Sequence, residues 1–346
     1  MQPIFDGHND ALLRLWLAAK RGLDPVSQFV DGSKEGHLDL PKAKTGGLIG
    51  GLCAIFVPSP EGRAQQEYDP QPMALPLPRN EALDAALEFT AIARRIQRAG
   101  GWRLCESGSD IQAAINTDQF AAVLHMEGVE ALDVELDSLE VFHAAGMRSL
   151  GPVWSRHNAF GHGVPFAFNQ SPDTGPGLTD AGKRLVSACD ELGIMLDLAH
   201  LNEAGFWDVA RHSQAPLVAS HSNAHALTPV ARNLTDRQLD AIRERGGLVG
   251  LNYACNMLRS DGRHDANTPL DDMRRHLDYL IERTGVECVG LGSDFDGALI
   301  PSGIGDAAGL QQLVKHLAGH GYDDATLAKL CMNNWISVLK RCWKET

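Results

Sequence analysis

Eight short apolar runs recur along this chain, and they restrict its fold more than any other feature. They span 3–8, 48–57, 120–126, 147–153, 193–199, 215–220, 247–253 and 288–293. Each is bounded by Gly, Pro or polar residues, and several are near-continuously apolar. That is the pattern of strands buried on both faces in a parallel sheet. Helix-like segments at 80–99, 179–192, 235–245 and 269–284 separate most of them. Two of these open on Thr179-Asp180 and Thr235-Asp236, whose oxygens can cap free backbone N–H groups. Alternation through eight strands predicts an α/β chain folded as a (β/α)8 TIM-type barrel, with residues 1–346 forming one domain. A doubly wound open sheet is the rival on strand count. No GxGxxG follows the first run and no GxxxxGK[ST] occurs, so a nucleotide fold has no motif behind it. The stretches 58–78, 158–177 and 256–269 read as long loops, which in compact domains often carry function.

Charge narrows the partners. With 31 Lys plus Arg against 44 Asp plus Glu, the formal net charge is −13 over 346 residues. Such a balance argues against a nucleic-acid or anionic-membrane partner and leaves a small molecule as the expected one. The longest apolar run, 46–57, falls short of the ~20 residues a bilayer span needs. The opening MQPIFDGHND has neither a basic stretch nor a long apolar one, so no secretory signal is expected. Seven cysteines at 53, 105, 189, 255, 288, 331 and 342 form no CxxC pair and read as reduced thiols, which points to the cytoplasm. Oligomeric state stays undetermined, with a homodimer open.

The chemistry-bearing residues are concentrated by position. His8 and Asp10 end the first run, Glu127 the third, His200 the fifth and His221 the sixth; Asp294 sits in GSDFDG after the last. In a barrel these C-terminal strand ends converge on one face. Singly, each residue has an ordinary explanation, as a turn carboxylate or a hydrogen-bonded core histidine. Jointly, three imidazoles, an Asp and a Glu able to bridge suit two divalent ions, with zinc the first choice for such N/O ligands and Mn²⁺ or Co²⁺ plausible. Two ions can share a hydroxide, polarise a carbonyl and stabilise a tetrahedral oxyanion, which implies hydrolysis. His125, two residues before Glu127, should face the same way deeper in the barrel, as a packed core residue or a support for a ligand. His162, His225 and His276 read as ordinary loop or helix residues.

FDGHND, MEG, DLAH, SHS, the RN of VARN and GSDFDG occur in this order, from residue 4 towards the NN-containing helix near residue 334. The ordered set resembles the membrane (renal) dipeptidase family of binuclear zinc dipeptidases. The resemblance implies a (β/α)8 barrel, with His8 and Asp10 on one zinc, His200 and His221 on the other, and Glu127 bridging. It implies Asp294 as the acid/base residue and His157, in SRHN, as the histidine that contacts the tetrahedral intermediate. It further implies Arg232 as the holder of the substrate's terminal carboxylate, and tolerance of a D-residue at the C-terminal position. Cell-surface members of the family carry a signal peptide and a lipid-anchor signal, neither of which is expected here.

The expected activity is therefore metal-dependent hydrolysis of dipeptides, including L-Xaa-D-Xaa. Another amidohydrolase-type barrel enzyme, a deaminase or lactonase, is the alternative. Those commonly open with HxH and can use a carboxylated Lys as bridge, whereas this chain has HxD and offers Glu127. A barrel that only binds peptide or metal is a third reading, against which stands Asp294 beside a full ligand set.

Overall fold

The computed structural model describes residues 1–59 and 73–345. Residues 60–72, most of the first long loop expected from the sequence, lie outside the described residues.

Among the described residues nine strands form, all paired in parallel. They are β1 (Ile4–Asn9), β2 (Leu48–Phe56), β3 (Arg103–Leu104), β4 (Ala121–Glu127), β5 (Met147–Gly151), β6 (Met195–Leu196), β7 (Val218–Ala219), β8 (Leu248–Asn252) and β9 (Val289–Gly292). Eight of them fall on the apolar runs. The exception, β3, pairs with the first two residues of β4 before β5 begins its own pairing at Leu124. Two residues are too few to show a period in sequence. The ladders run β1-β2-β4-β5-β6 and β7-β8-β9.

Two seams close these ladders into a barrel, and each is stitched by a buried aspartate. At the first, Leu198 N donates to Val218 O at 2.8 Å. Beside it, Asp197 Oδ1 accepts from Ser220 N at 2.8 Å and from Ala199 N at 3.1 Å. At the second, Asp10 N donates to Phe295 O at 2.7 Å, and Asp6 accepts from Ser293 N at 2.7 Å and Ser293 Oγ at 2.8 Å. Side-chain oxygens thus replace part of the main-chain ladder. This is why β6 and β7 are shorter than their apolar runs. Closure excludes the open-sheet rival.

Alternation along β4 shows how the barrel is layered. Ala122, Leu124 and Met126 pack outward with helix residues such as Phe89, Leu139 and Phe142. Ala121 and Val123 point inward with Phe5, Leu52, Met195, Val218 and Leu248, and the same inner row continues upward to His125 and Glu127. Trp335, from the helix Asn334–Cys342, fills the floor of the barrel and donates from Nε1 to Leu291 O at 2.8 Å. A Cβ at Gly7 would collide with the Trp335 ring and one at Gly290 with its Nε1, so glycine at both positions admits the indole.

The outer helices follow their sequence signals. Helix Asp180–Leu192 starts at Thr179, whose Oγ1 accepts from Gly182 N at 3.1 Å. Helix Asp236–Glu244 starts at Thr235, whose N–H donates to Gln238 Oε1 at 2.8 Å. The stretch 256–269 is not wholly loop, because a short helix occupies Cys255–Leu258. All seven cysteines are free and buried. Among the described residues no helix is long and apolar enough to cross a membrane.

Trp335 supplies a testable consequence. Trp335→Ala empties the barrel floor and removes the bond to Leu291, a change expected to cost about 3–5 kcal/mol. Urea unfolding reads it; a loss below about 1 kcal/mol would mean that the floor is not packed by this ring.

Candidate metal centre

At the C-terminal rim the inner rows end in a cluster of ionisable side chains. His8, Asp10, Glu127, His200 and His221 are each no more than 5% exposed. Glu127 Oε1 is the hub: it lies 2.9 Å from His200 Nε2, 3.4 Å from His221 Nε2 and 3.6 Å from His8 Nε2. His200 Nε2 and His221 Nε2 face each other at 3.0 Å, and the His8 and His221 rings stack at 3.9 Å between centroids. Asp10 Oδ2 lies 3.4 Å from His8 Nε2. His8, Asp10 and Asp294 form an adjoining group in which ligand atoms fall within 4.8 Å of one another.

His8 and Asp10 meet by a different route from plain strand alternation. The β1–β2 register slips between Asp6 and Asn9, so Gly7 faces Trp335 while His8 also turns inward. Asp10 has already left the strand, at φ −102° and ψ 28°, as the residue preceding helix Ala11–Lys20.

Electrostatics explains why such a cluster calls for cations. Burial alone would discharge His8, yet the Glu127, Asp10 and Asp294 carboxylates outweigh it and lift the imidazole to about 10. Burial pushes His200 and His221 well below the usual histidine range and raises Glu127 and Asp294 above the carboxylate range. Both ring nitrogens of His8 and Asp10 Oδ1 are buried without a hydrogen-bond partner. Unpartnered buried polar atoms are costly, and divalent ions among three imidazoles and two carboxylates would take up His8 Nε2 and Asp10 Oδ1. The donor set therefore fits metal, with His8, Asp10, Glu127, His200 and His221 as the residues able to hold it.

Serines whose roles the sequence reading did not anticipate aim the imidazoles. His221 Nδ1 lies 2.7 Å from Ser220 Oγ, which donates to Asp197 Oδ2 at 2.5 Å. The serine hydrogen is thereby committed to the carboxylate, so His221 Nδ1 must carry its own proton and present a bare Nε2 to Glu127. His200 Nδ1 meets Ser155 Oγ at 2.9 Å. Asp197 and Ser220 sit inside DLAH and SHS, so their signal was their adjacency to the ligands. His125 lies beneath His8, 2.8 Å from Ser149 Oγ and 3.5 Å from Asp197 Oδ2, and burial holds it down at about 3, so it is neutral. Asn252 Nδ2, also missed, donates to Asp294 Oδ2 at 2.9 Å.

Arg232 reaches the cluster. It is 2% exposed, donates to Ala199 O and His221 O, and sets a guanidinium nitrogen 3.1 Å from His200 Nε2. Burial lowers it to about 10, still charged at neutral pH. The His157 ring packs on His162 at 4.4 Å between centroids, and it lines a cavity of about 500 Å³ with Val129, Glu130 and Phe160. Its neighbour Arg156 is fully buried, pairing with Glu130 at 2.7 Å and donating to Val57 O at 2.6 Å. The loop 158–177 folds over His200, with Val164 N on His200 O at 2.9 Å and Phe166 edge-on to the imidazole at 5.9 Å.

The family model for membrane dipeptidase, peptidase family M19, matches residues 1–345. A crystal structure of a metallo peptidase from Rhodobacter sphaeroides, liganded with a phosphinate mimic of the dipeptide L-Ala-D-Ala, is 49% identical, with a TM-score of 0.95 over 99% of both chains. An uncharacterized protein in the pqqA 5′ region of Klebsiella pneumoniae is 48% identical over 267 residues, 77% of this chain and 98% of its own. The probable dipeptidase PvdM from Pseudomonas aeruginosa, at 24% identity, shares the fold with a TM-score of 0.82 over 100% of this chain and 96% of its own.

Metal uptake should expel protons. His8, held at about 10, is protonated in the metal-free protein at neutral pH, and a metal ligand must be neutral. Binding then releases at least about one proton per chain, and affinity rises with pH. Calorimetric titration of Zn²⁺ into metal-free protein, in buffers of differing ionisation enthalpy, measures the release; uptake without it would mean that His8 is not displaced.

Proposed function

The chain belongs to the membrane dipeptidase family, peptidase family M19, whose metal-dependent hydrolysis of dipeptides it performs, and from that premise we propose a two-zinc enzyme that accepts L-Xaa-D-Xaa as well as L-Xaa-L-Xaa. One observation carries the proposal: a single buried oxygen, Glu127 Oε1, faces three imidazoles from three strands at 2.9, 3.4 and 3.6 Å. In this reading His8 and Asp10 hold one ion, His200 and His221 the other, and Glu127 both. Ions held there would supply Lewis acidity, enough to acidify a water and polarise the scissile carbonyl.

Asp294 moves the proton. Asn252 fixes its Oδ2 at 2.9 Å, and burial lifts its proton affinity above that of an ordinary carboxylate. It can take a proton from the attacking water and return it to the leaving amine. His157 keeps a ring N–H for the developing oxyanion once it turns from His162 towards the substrate. Arg232 offers a planar fork to the terminal carboxylate. Its 3.1 Å approach to His200 would hold that carboxylate close to the cut bond, which favours a short substrate such as a dipeptide. The L-Ala-D-Ala mimic held by the Rhodobacter sphaeroides enzyme supports the stereochemical reach. Seven buried free thiols support a reducing compartment, the cytoplasm, as the site of action.

Asp294→Asn should lower kcat by ~10²–10⁴ while metal content stays near that of the parent. Near-parental turnover of a dipeptide panel would move the proton-handling role elsewhere. For Arg232, the comparison is two enzymes on two substrates, a dipeptide and its C-terminal amide. The parent should prefer the free acid by roughly ten- to a hundredfold in kcat/KM, the worth of a charge-assisted hydrogen bond. Arg232→Ala should erase that preference; a mutant that keeps it shows that another group reads the carboxylate.

A further inference from the structure

A second group of metal-ligand side chains lies on the outer helical layer, away from the barrel mouth. His316 is on helix Leu310–Gly319 and His320 is the residue that closes it, four positions on. Residues so spaced stand one turn apart on one helix face, and the two rings meet at 4.3 Å between centroids. Asp271, in the first turn of helix Leu270–Thr284, faces them, with Oδ1 3.8 Å from His316 Nε2. One ligand atom from each of the three residues lies within 4.8 Å of the others.

Three details prepare this trio for a cation. His320 Nδ1 lies 2.7 Å from His316 O, a carbonyl that can only accept, so Nδ1 carries the proton and Nε2 presents its lone pair. His316 Nε2 is buried with no hydrogen-bond partner, although its side chain as a whole is 23% exposed. Asp271 is ionised: Arg274 donates to Oδ1 at 2.8 Å and holds the carboxyl below its usual range. Arg274 also bonds Asp278, so it keeps a carboxylate partner if Asp271 turns towards a metal.

We infer that His316, His320 and Asp271 form a separate surface site for a borderline transition-metal dication such as Zn²⁺, Ni²⁺ or Cu²⁺, clipping two outer helices of the barrel together. Two imidazoles and one carboxylate select these ions over Mg²⁺ and Ca²⁺, which want oxygen ligands. Solvent completes the coordination, because Asp271 and His320 are open to it. None of the three takes part in the dipeptidase site, so the ion stabilises the fold and does not enter the reaction. The site does not rest on the assignment of the hydrolytic centre.

Equilibrium dialysis of the zinc-loaded enzyme against Zn²⁺, followed by elemental analysis, tests this directly. The parent should hold about one ion per chain more than His320→Ala or His316→Ala, while all three hydrolyse dipeptide equally. Its melting temperature should rise with added Zn²⁺ and that of the two variants should not. Glu127→Gln should keep the surface ion whatever happens at the barrel mouth, which separates failure here from failure there. Asp271→Asn should weaken the ion; an unweakened ion would reduce the site to a histidine pair and overturn the three-ligand assignment. Equal zinc content and equal thermal response in the parent and both histidine variants would overturn the site altogether.

Discussion

A carboxylate that has lost its water must be given something in return, and in this protein that requirement falls on Glu127. Its Oε1 has three imidazole nitrogens around it, and its burial would be ruinous without positive charge close by. The imidazoles cannot all supply that charge, since burial discharges His200 and His221. Only His8, flanked by three carboxylates, keeps the second proton that gives it a positive charge. The cluster is thus electrically incomplete as a purely protein structure, and divalent ions would complete it. Metal binding, the bare Nε2 of His221 and the low exposure of the site are one condition seen from three sides.

The barrel exists in a form that meets this condition. Its floor is sealed by Trp335 against glycines, so the inner rows change from apolar to ionisable within two residues, as Val123 gives way to His125 and Glu127. The aspartates that stitch the two seams also serve the site. Asp197 closes β6 on β7 and, through Ser220, orients His221. Asp6 closes β9 on β1 at the point where the register slips and turns His8 inward. Closure of the sheet and aim of the ligands are therefore coupled: weakening a seam should loosen a ligand.

Much of this was legible in sequence. Near-continuous apolar runs marked eight strands because both faces of a barrel strand are buried, and the ligands stood out because they follow those runs. The extra strand Arg103–Leu104 was not legible, since two residues carry no period. Nor was the slip in β1: His8 and Asp10 do converge, but a bulge and a departing chain bring them together, which a two-residue spacing cannot distinguish from simple alternation. The serines behind the histidines were visible only as neighbours, because a hydroxyl has no signature until its partner is in place. His157 is a residue singled out by motif alone, and its packing on His162 carried no signal in the sequence.

The central claim is that Glu127 is shared by two ions. Anomalous diffraction from crystals of the zinc-loaded enzyme, recorded on both sides of the zinc edge with a dipeptide phosphinate bound, tests it most directly. The account predicts two zinc peaks ~3.5–4 Å apart, one beside His8 and Asp10, the other beside His200 and His221, with one Glu127 oxygen facing each. A single peak, or two peaks of which Glu127 touches only one, would contradict it.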